Sequence, residues 1–436
     1  MKPDTIVALA SGAGRAGVAL IRVSGPQARD VLKSLIPIGF PRVREATFAR
    51  FIDQRDDSII DEGVAIFFQA PASFTGEDVA ELHVHGGPAV VAATIEACLR
   101  VEGVRLAEAG EFARRAFEHG KLDLAQAEGL ADLVDAETEA QRRQALRQMR
   151  GALSELYEGW RARLIEAAAL IEAEIDFPDE DLPGALAQRA GPILTGLAAD
   201  MAFHLADARG ERVRDGYRVA IIGPPNAGKS SLLNALARRE AAIVSDIPGT
   251  TRDVVEVRLV LAGFPVWIAD TAGLREAADA IEAEGVRRAL ARAEEADLRI
   301  ALVESGQSVP APLAAALKPG DVLLRSKADL GPVKAGEQAI SVRTGVGIAA
   351  LEALLAERVA QALGDEEAPA LTRARHRRRV EEAKTALERA VPALNSAPEL
   401  AAEDVRAAAH AVGRLTGRID VEELLGEIFA SFCIGK

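Results

Sequence analysis

The stretch GPPNAGKS, residues 223–230, decides the fold, because its spacing is that of a phosphate-binding loop, GxxxxGK[ST]. Residues 218–222, RVAII, predict a buried strand directly before it, and residues 231–236, SLLNAL, predict a helix directly after it. In this arrangement the loop amides and the helix N-terminus surround the phosphates, the lysine reaches the β and γ oxygens, and the serine hydroxyl binds Mg²⁺. We therefore predict a nucleoside triphosphate site in an α/β domain. The predicted contacts are Asn226, Ala227, Gly228, Lys229, Ser230, which also binds Mg²⁺, and Ser231.

Two further elements follow in the order typical of a nucleotide-dependent switch. An apolar strand leads into DTAG at 270–273, where Asp270 joins the Mg²⁺ shell and the Gly273 amide senses the γ-phosphate. Between this strand and the phosphate-binding loop lies PGTTRD at 248–253, which brings Thr251 onto Mg²⁺ and the γ-phosphate. The other nucleotide contacts predicted from these elements are Thr250, Thr271 and Ala272.

The segment SKAD, residues 326–329, indicates that the base is guanine. The carboxylate of Asp329 accepts hydrogen bonds from both the ring N–H and the amino group on one edge of guanine, and adenine offers no such pair. Lys327 completes the segment, but Ser326 stands where an asparagine usually braces the phosphate-binding loop. Residues 341–343, SVR, occupy the place of a usual Ser-Ala-Lys, so we expect its backbone near the base. GTP is therefore predicted over ATP.

The sequence departs from Ras-like enzymes at the position that orients the attacking water. Those enzymes place a glutamine directly after the Asp-x-x-Gly element, whereas this chain has Leu274, which cannot hydrogen-bond water. The candidates to replace it are Glu276, Glu282 and Glu284, and a solvated helix face is the alternative interpretation of all three. Lys229 is the other predicted catalytic residue, through its contact with the β and γ oxygens.

Length and residue pattern predict how these motifs are distributed over domains. A chain of 436 residues is too long for one ordinary core, so two or three domains are expected. The first part predicts an α+β domain, because short β-like runs alternate with helical patterns there. From residue 122 onward Ala, Leu, Glu, Gln and Arg dominate, which predicts helices. The predicted strands of the first part are residues 5–10, 17–23, 63–69 and 79–85.

Apolar stripes at helical spacing flank the α/β segment on both sides. The C-terminal helices, about 65 residues, form a marginal core alone, so we predict that they pack against the helices of residues 122–215 and that the α/β domain is inserted between them. The predicted stripes are Trp160, Leu164, Ala168, Ile171 and Ile175; Val405, Ala408, Val412 and Leu415; and Val421, Leu424, Leu425, Ile428 and Phe429.

Charge and cysteine content exclude several classes of protein. The net charge of −14 argues against a chain that holds nucleic acid mainly by its own electrostatics. Two cysteines, Cys98 and Cys433, are too few for a disulfide framework, and we expect a cytoplasmic protein with no membrane span. The ending Cys433-Ile434-Gly435-Lys436 is a poor match to a prenylation box, so an ordinary tail is the preferred interpretation.

Several further segments stand beside the nucleotide motifs GPPNAGKSSLLN, PGTTRD and DTAGLRE: IRVSG (21–25), SFTGEDVAELHVHGG (73–87), KLDLAQAEGLADL (121–133), IDFPDED (175–181) and the terminal FCIGK. Taken together these segments resemble the MnmE (TrmE) family of tRNA-modifying GTPases over nearly the whole chain. The resemblance implies an N-terminal folate-binding and dimerising domain at residues 1–120, an all-α helical domain split into 121–215 and 371–436, and an inserted Ras-like G domain at 216–370.

The family resemblance also implies a reaction and partners. Such proteins form homodimers and join a FAD-dependent subunit, MnmG (GidA), to install an aminomethyl-type group on C5 of the wobble uridine of certain tRNAs. The carbon comes from a tetrahydrofolate derivative. Because this chain is acidic, we expect the partner to supply most of the tRNA grip. An Era-like GTPase switch in ribosome assembly is the alternative, but such a switch ordinarily carries an RNA-binding part with a basic face.

Hydrolysis in this family is implied to use K⁺ in the place of an arginine finger. The ion is bound by the asparagine of the phosphate-binding loop, here Asn226, together with the loop before PGTTRD. The implied K⁺ ligands from that loop are Ser245, Ile247 and Thr250. The resemblance further points to Glu282 as the residue that polarises the attacking water.

The implied folate ligands are Arg22, Glu81, Lys121 and the terminal Lys436. A carboxylate suits the N–H donors of a pterin, and Arg or Lys suits the carboxylates of a glutamate tail; ordinary surface charge is the alternative interpretation. His83 and His85 resemble a metal pair but have no evident third ligand, so histidines of the core or the folate pocket are favoured. The five arginines within residues 373–379 are equally consistent with tRNA contact and with a solvated helix start.

Overall fold

The computed structural model describes residues 4–176, 186–239, 256–270, 293–364, 370–419, 422–430, 432 and 434–435. The chain divides into two compact units. Unit 1 comprises Met1–Ala131, Gln148–Thr195 and Thr385–Lys436. Unit 2 comprises Asp132–Arg147 and Gly196–Lys384.

Unit 1 contains a sheet that joins six strands of the described residues in the order β3-β4-β5-β2-β1-β6. Neighbouring strands are antiparallel except for β1 and β6, which are parallel. The four predicted strands are confirmed as β1, β2, β4 and β5, and β3 and β6 are additional strands that the sequence did not predict. The strands are β1 Thr5–Leu9, β2 Ala16–Ser24, β3 Thr47–Asp53, β4 Ser58–Phe68, β5 Val79–Gly86 and β6 Val104–Leu106.

The two faces of this sheet carry different residues because side chains alternate along a strand. One face buries Ile21, Val23 and Leu82 in the core shared with two helices, α1 Ala28–Leu35 and α2 Pro88–Leu99. Arg22, which lies between Ile21 and Val23, and Glu81, which precedes Leu82, therefore point to the opposite face. Phe112 of helix α3 Glu111–Glu118 packs on that opposite face against the β1 residues Ile6 and Ala8.

The remaining helices of unit 1 confirm the predicted packing of the C-terminal segment. Helix α13 (Pro398–Thr416) packs along α6 (Ala152–Asp176), and its predicted stripe Val405, Ala408, Val412 and Leu415 is buried. The other helices that lie wholly or partly in unit 1 follow in the chain. The helices are α4 Leu124–Asp135, α5 Glu139–Met149, α6 Ala152–Asp176, α7 Leu186–Ala206, α12 Ala374–Ala393, α13 Pro398–Thr416 and α14 Glu422–Ala430.

Two positions of the predicted α6 stripe, Ala168 and Ile175, are only partly buried, whereas Ala167 is fully buried. Each residue turns the direction of the side chain by about 100° around the helix axis. Ala168 lies eight residues after Trp160 and is therefore about 80° off the buried line, whereas Ala167 lies seven residues after it and stays within about 20°.

Unit 2 contains the predicted α/β domain, so the predicted combination of α+β, all-α and inserted α/β parts is confirmed. Its sheet joins six described strands in the order β12-β11-β10-β7-β9-β8, all parallel except for the antiparallel pair β8 and β9. The strands are β7 Tyr217–Ile222, β8 Glu256–Leu261, β9 Phe264–Asp270, β10 Leu298–Glu304, β11 Val322–Ser326 and β12 Gln338–Ala339. The helices beside them are α8 Arg209–Asp215, α9 Lys229–Arg239, α10 Ala311–Ala316 and α11 Ile348–Leu363.

No described helix combines the length and the hydropathy needed to cross a membrane.

Candidate functional site

The loop between β7 and α9 has the backbone that its sequence predicts. A Cβ on Gly223 would lie 2.3 Å from the carbonyl oxygen of Leu302 in β10, so only glycine lets the loop pass this close to the neighbouring strand. Gly228 has φ +94° and Asn226 has φ +60°, a left-handed conformation that asparagine tolerates better than most residues. The loop therefore turns sharply from the sheet into the N-terminus of α9.

Lys229 is the buried cation of this loop. Its side chain is largely enclosed, with 5% of the residue exposed, and Nζ donates hydrogen bonds to the carbonyl oxygens of Gly223 at 2.7 Å and Pro224 at 2.8 Å. Burial lowers the pKa of Lys229, and the nearby Asp270 carboxylate opposes this shift. A cation held out of water in this way gains strongly from an anionic ligand.

Ser230 and Asp270 meet at the end of the sheet next to this lysine. The Ser230 hydroxyl donates a hydrogen bond to Asp270 Oδ2 at 2.5 Å, and Asp270, the last residue of β9, is 2% exposed. A hydroxyl and a carboxylate are oxygen ligands of the type that Mg²⁺ prefers. The structure thus brings together the predicted Mg²⁺ ligand and the predicted residue of the Mg²⁺ shell.

The predicted guanine acceptor lies in a loop after β11. Asp329 Oδ1 accepts a hydrogen bond from Ser341 Oγ at 2.6 Å, and Oδ2 accepts one from Arg343 Nε at 2.8 Å. The Ser341 hydroxyl and the Arg343 guanidinium lower the pKa of Asp329, so the carboxylate is held in the acceptor form. Lys327 has φ +53° and its Nζ donates to Glu304 Oε2 at 2.9 Å.

Ser326, the residue in the place of the usual asparagine, has an unusual environment. Its carbonyl oxygen accepts hydrogen bonds from Ser305 N at 2.9 Å and from Ser305 Oγ at 2.8 Å. Its own hydroxyl is buried, and among the described residues it has no hydrogen-bond partner. A buried hydroxyl without a partner loses its hydration without compensation.

Several predicted site residues lie outside the described residues. They come from the segment before β8, the segment after β9 and the C-terminal tail. These residues are Ser245, Ile247, Thr250, Thr251, Thr271, Ala272, Gly273, Leu274, Glu276, Glu282, Glu284, Cys433 and Lys436.

The described candidate folate ligands lie in unit 1. Arg22 and Glu81 are opposite each other on β2 and β5, and Arg22 Nη2 is 3.0 Å from Glu81 Oε1. The Arg22 guanidinium also lies over the ring of Phe74, 5.4 Å from its centroid. Lys121 lies beside Gly76, because a Cβ atom added to Gly76 would be 3.4 Å from Lys121 Cε. The structure thus pairs two of the predicted residues directly.

The described part of the C-terminal tail contacts the same sheet. Gly435 has φ +101°, and a Cβ there would lie 2.1 Å from the carbonyl oxygen of Leu9, at the end of β1. Ile434 forms an isolated β-bridge with Ala109. Strand β1 is the neighbour of β2, which carries Arg22. The described part of the tail therefore contacts β1, one strand away from Arg22.

A charged cluster around Arg115 was not predicted from the sequence. Its guanidinium donates to Asp4 Oδ1 at 2.7 Å, Glu111 Oε1 at 3.0 Å and Glu77 Oε2 at 3.1 Å. Arg105 binds the carboxylates of Asp4 and Glu111 as well. The residues come from four separate segments, so no sequence spacing signals the cluster.

The other charged candidates have partners within their own unit. In unit 2, Arg373 lies 2.7 Å from Asp132, Arg377 lies 3.1 Å from Glu211, and Arg379 lies 2.7 Å from Glu382. These carboxylates neutralise much of the arginine run. In unit 1, His85 Nδ1 lies 2.8 Å from Asp61 Oδ1, whereas His83 Nε2 is 3.8 Å from Glu81 Oε2 and has no hydrogen-bond partner among the described residues.

The comparison with known proteins agrees with this arrangement. A family model described as "MnmE helical domain" matches residues 124–433, and one described as "GTP-binding protein TrmE N-terminus" matches residues 5–121. A protein of Parvibaculum lavamentivorans named "tRNA modification GTPase MnmE" is 59% identical and covers 99% of this chain and 100% of its own length. One of the same name from Maricaulis maris is 56% identical, with 99% of each chain covered.

Among solved structures, the G domain of the T. maritima FeoB iron transporter aligns with 33% of this chain and 99% of its own. The identity is 24% and the TM-score 0.26, which is too low to compare the two folds. The two family models together span nearly the whole sequence, and the relatives align over their full length. The chain therefore belongs to the MnmE (TrmE) family.

Proposed function

We propose that this chain is a GTP hydrolase that acts in tRNA modification. The observation that carries the proposal is the position of two sets of side chains in unit 2. Lys229, Ser230 and Asp270 form a phosphate and Mg²⁺ set at the β7–α9 loop, and Asp329 provides a charged guanine acceptor after β11. The role in tRNA modification is supported by the printed name of the full-length relatives.

The residues divide the work of binding and hydrolysis. Lys229 neutralises the β and γ phosphates, and its burial strengthens that interaction because water does not screen it. Ser230 and Asp270 would hold Mg²⁺, which when bound supplies positive charge to the β and γ oxygens. Asp329 selects a base that presents two adjacent donors.

For the hydrolysis step we propose that K⁺ and Glu282 replace the arginine finger and the glutamine of Ras-like enzymes. Family membership supports this assignment. Asn226 lies in the phosphate-binding loop, where it is exposed and has a left-handed backbone conformation with φ +60°. The other proposed K⁺ ligands are Ser245, Ile247 and Thr250.

The finer chemistry is proposed for unit 1 and for partner proteins. A tetrahydrofolate derivative would meet Arg22, Glu81, Lys121 and Lys436, whose carboxylate and cations suit the pterin donors and the glutamate tail. The chain would act as a homodimer with a FAD-dependent subunit and add an aminomethyl-type group to C5 of the wobble uridine. The net charge of −14 supports the proposal that the partner subunit provides most of the tRNA-binding surface.

Changing the base of the nucleotide tests the assigned guanine site and the preference of the hydrolase for GTP. The wild-type chain should hydrolyse GTP in preference to ATP. The variant Asp329→Asn should lose affinity for GDP and gain affinity for xanthosine diphosphate, because the amide of asparagine can donate to the C2 carbonyl of xanthine. Unchanged preference for GDP in this variant would refute the base site.

Two further measurements test the finer proposals. GTP turnover in K⁺ and in Na⁺ at equal ionic strength should differ several-fold, and equal rates would exclude the K⁺ assignment.

Nucleoside analysis of tRNA from a deletion strain should show unmodified wobble uridine. Normal modification in that strain would favour the ribosome-assembly alternative instead.

A further inference from the structure

The carboxylate of Asp329 is held from two sides of very different exposure. Ser341, which donates to Oδ1, is 1% exposed, so it approaches from the protein interior. The side chain of Arg343, which donates to Oδ2, is 73% exposed, so it approaches from solvent. The Asp329 side chain itself is 12% exposed. Arg343 is thus the partner on the solvent side of the carboxylate.

A nucleotide can reach Asp329 only from solvent. Guanine needs both oxygens of the carboxylate, because its ring N–H and its amino group donate side by side. The bond from Ser341 leaves the outer lone pairs of Oδ1 available, since each carboxylate oxygen accepts about two hydrogen bonds. The Arg343 guanidinium instead lies on the side from which the base arrives.

We infer that Arg343 competes with the guanine base for Asp329, so that its ion pair must open before a guanine nucleotide binds. The inference rests on the proposed function, since it takes Asp329 as the base acceptor. It assigns to Arg343 control over nucleotide association rather than a contact that holds the bound nucleotide. The ligand class is a purine with adjacent ring N–H and amino donors.

The expected size of the effect follows from the exposure of the pair. An ion pair between a solvent-exposed arginine and a carboxylate is weak and is screened by salt, so removing it should change association by roughly two- to fivefold. Arginine presents a planar fork of donors, whereas lysine presents a compact ammonium on a flexible stem. A lysine at this position should therefore hold the carboxylate less firmly.

Stopped-flow binding of a fluorescent GDP analogue to the full chain tests the inference. Arg343→Ala should raise the association rate constant by roughly two- to fivefold and leave the dissociation rate constant unchanged. Arg343→Lys should fall between wild type and Arg343→Ala. Arg142→Ala is the matched control, because it removes an exposed cation of unit 2 that pairs with Glu139 and not with Asp329. It should match wild type.

Salt provides a second readout that a merely structural role would not move. As ionic strength rises, the ratio of the association rate constants of Arg343→Ala and wild type should fall toward one. An unchanged association rate constant in Arg343→Ala would overturn the inference, as would faster dissociation alone. If Asp329→Asn kept its affinity for GDP, the proposed base site would fail, and this result is distinguishable from the failure of the Arg343 inference.

Discussion

Ser230 and Asp270 are 40 residues apart in the sequence, yet the hydroxyl of the first donates to the carboxylate of the second at 2.5 Å. The contact forms because β7 and β9 are parallel neighbours in the sheet, with Ile221 opposite Asp270. The hydroxyl in the first turn of helix α9 and the carboxylate at the end of β9 therefore meet at one edge of the sheet. Carboxyl ends of parallel strands are where open α/β sheets bind ligands.

Ser230→Ala should weaken nucleotide binding in the presence of Mg²⁺ while changing it little without the metal. The variant removes one oxygen ligand and leaves Lys229 and the loop amides in place. We expect the loss to be about 1.5 to 3 kcal/mol, which corresponds to roughly 10- to 150-fold in affinity. Isothermal titration with GDP, in Mg²⁺ and in EDTA, measures both values.

Asn234→Ala is the control for this substitution. Asn234 lies on the same helix α9 but is exposed. Its removal should leave both affinities within a factor of two. An equal loss for Ser230→Ala in Mg²⁺ and in EDTA would mean that the hydroxyl contacts the nucleotide or supports the loop, and not the metal.

Ser326→Ala should leave the free energy of unfolding of unit 2 unchanged or raise it by about 0.5 to 1 kcal/mol. The Ser326 hydroxyl is buried without a hydrogen-bond partner among the described residues, so replacing it with hydrogen removes an uncompensated polar group. Ser305→Ala is the matched comparison, because that buried serine donates to the Ser326 carbonyl at 2.8 Å. It should destabilise by about 1 kcal/mol. Urea unfolding of both variants decides between them, and a clear loss in Ser326→Ala would mean that its hydroxyl does have a partner.

Arg115→Met should destabilise unit 1 by about 3 kcal/mol, because it removes the almost wholly enclosed guanidinium that binds Asp4, Glu77 and Glu111. Asp4 and Glu111 keep Arg105 as a partner, so Glu77 loses the most. The chain has two tryptophans, and Trp160 lies in unit 1. In a Trp267→Phe background, urea unfolding followed by tryptophan fluorescence therefore reports on unit 1 alone.

The neighbouring Arg114 supplies the control for the Arg115 substitution. It is exposed and pairs with Glu118 one turn along the helix. Arg114→Met should cost less than about 1 kcal/mol. Equal losses for the two variants would show that the enclosed cluster contributes no more than a surface ion pair.

The stability supplied by Glu111 should depend on pH. Burial by itself raises the pKa of this carboxyl, but hydrogen bonds from Arg105, from the Glu108 backbone and from Arg115 outweigh it and hold the pKa below its ordinary value of 4.5. A depressed pKa in the folded state means that the stabilisation is fully present above pH 4.5 and is lost as pH falls through the folded value. The difference in unfolding free energy between wild type and Glu111→Gln should therefore be constant from pH 7 to about pH 5 and shrink below it. A difference that grows on acidification would contradict the assigned sign.

The sequence predicted those features that depend on local spacing. The phosphate-binding loop, the strand before it and the helix after it follow from residues 218–236, and the stripe of α13 follows from its helical period. The Arg115 cluster could not be predicted, because its members meet only when β6, α3 and the segments before β1 and β5 pack together. The pairing of Asp329 with Arg343 was missed for a related reason: its geometry depends on the turn between β12 and α11.

Gly435→Ala should detach the C-terminal tail from strand β1. The residue has φ +101°, and a Cβ would lie 2.1 Å from the carbonyl oxygen of Leu9, so the backbone must move away. The β-bridge between Ile434 and Ala109 should open with it. Hydrogen exchange of the segment around Ala109, whose own sequence is unchanged, should then become at least several-fold faster.

Gly39→Ala separates this steric effect from backbone strain. Gly39 also has a positive φ, +86°, and also lies in unit 1, but a Cβ there would have no neighbour within 4 Å. It should carry the strain of about 1 kcal/mol without changing exchange around Ala109. If the tail delivers Lys436 to the folate ligands as proposed, Gly435→Ala should also lose tRNA modification while it keeps GTP hydrolysis, since the nucleotide site lies in unit 2. Faster exchange in both glycine variants, or in neither, would show that the close approach of Gly435 to Leu9 does not hold the tail.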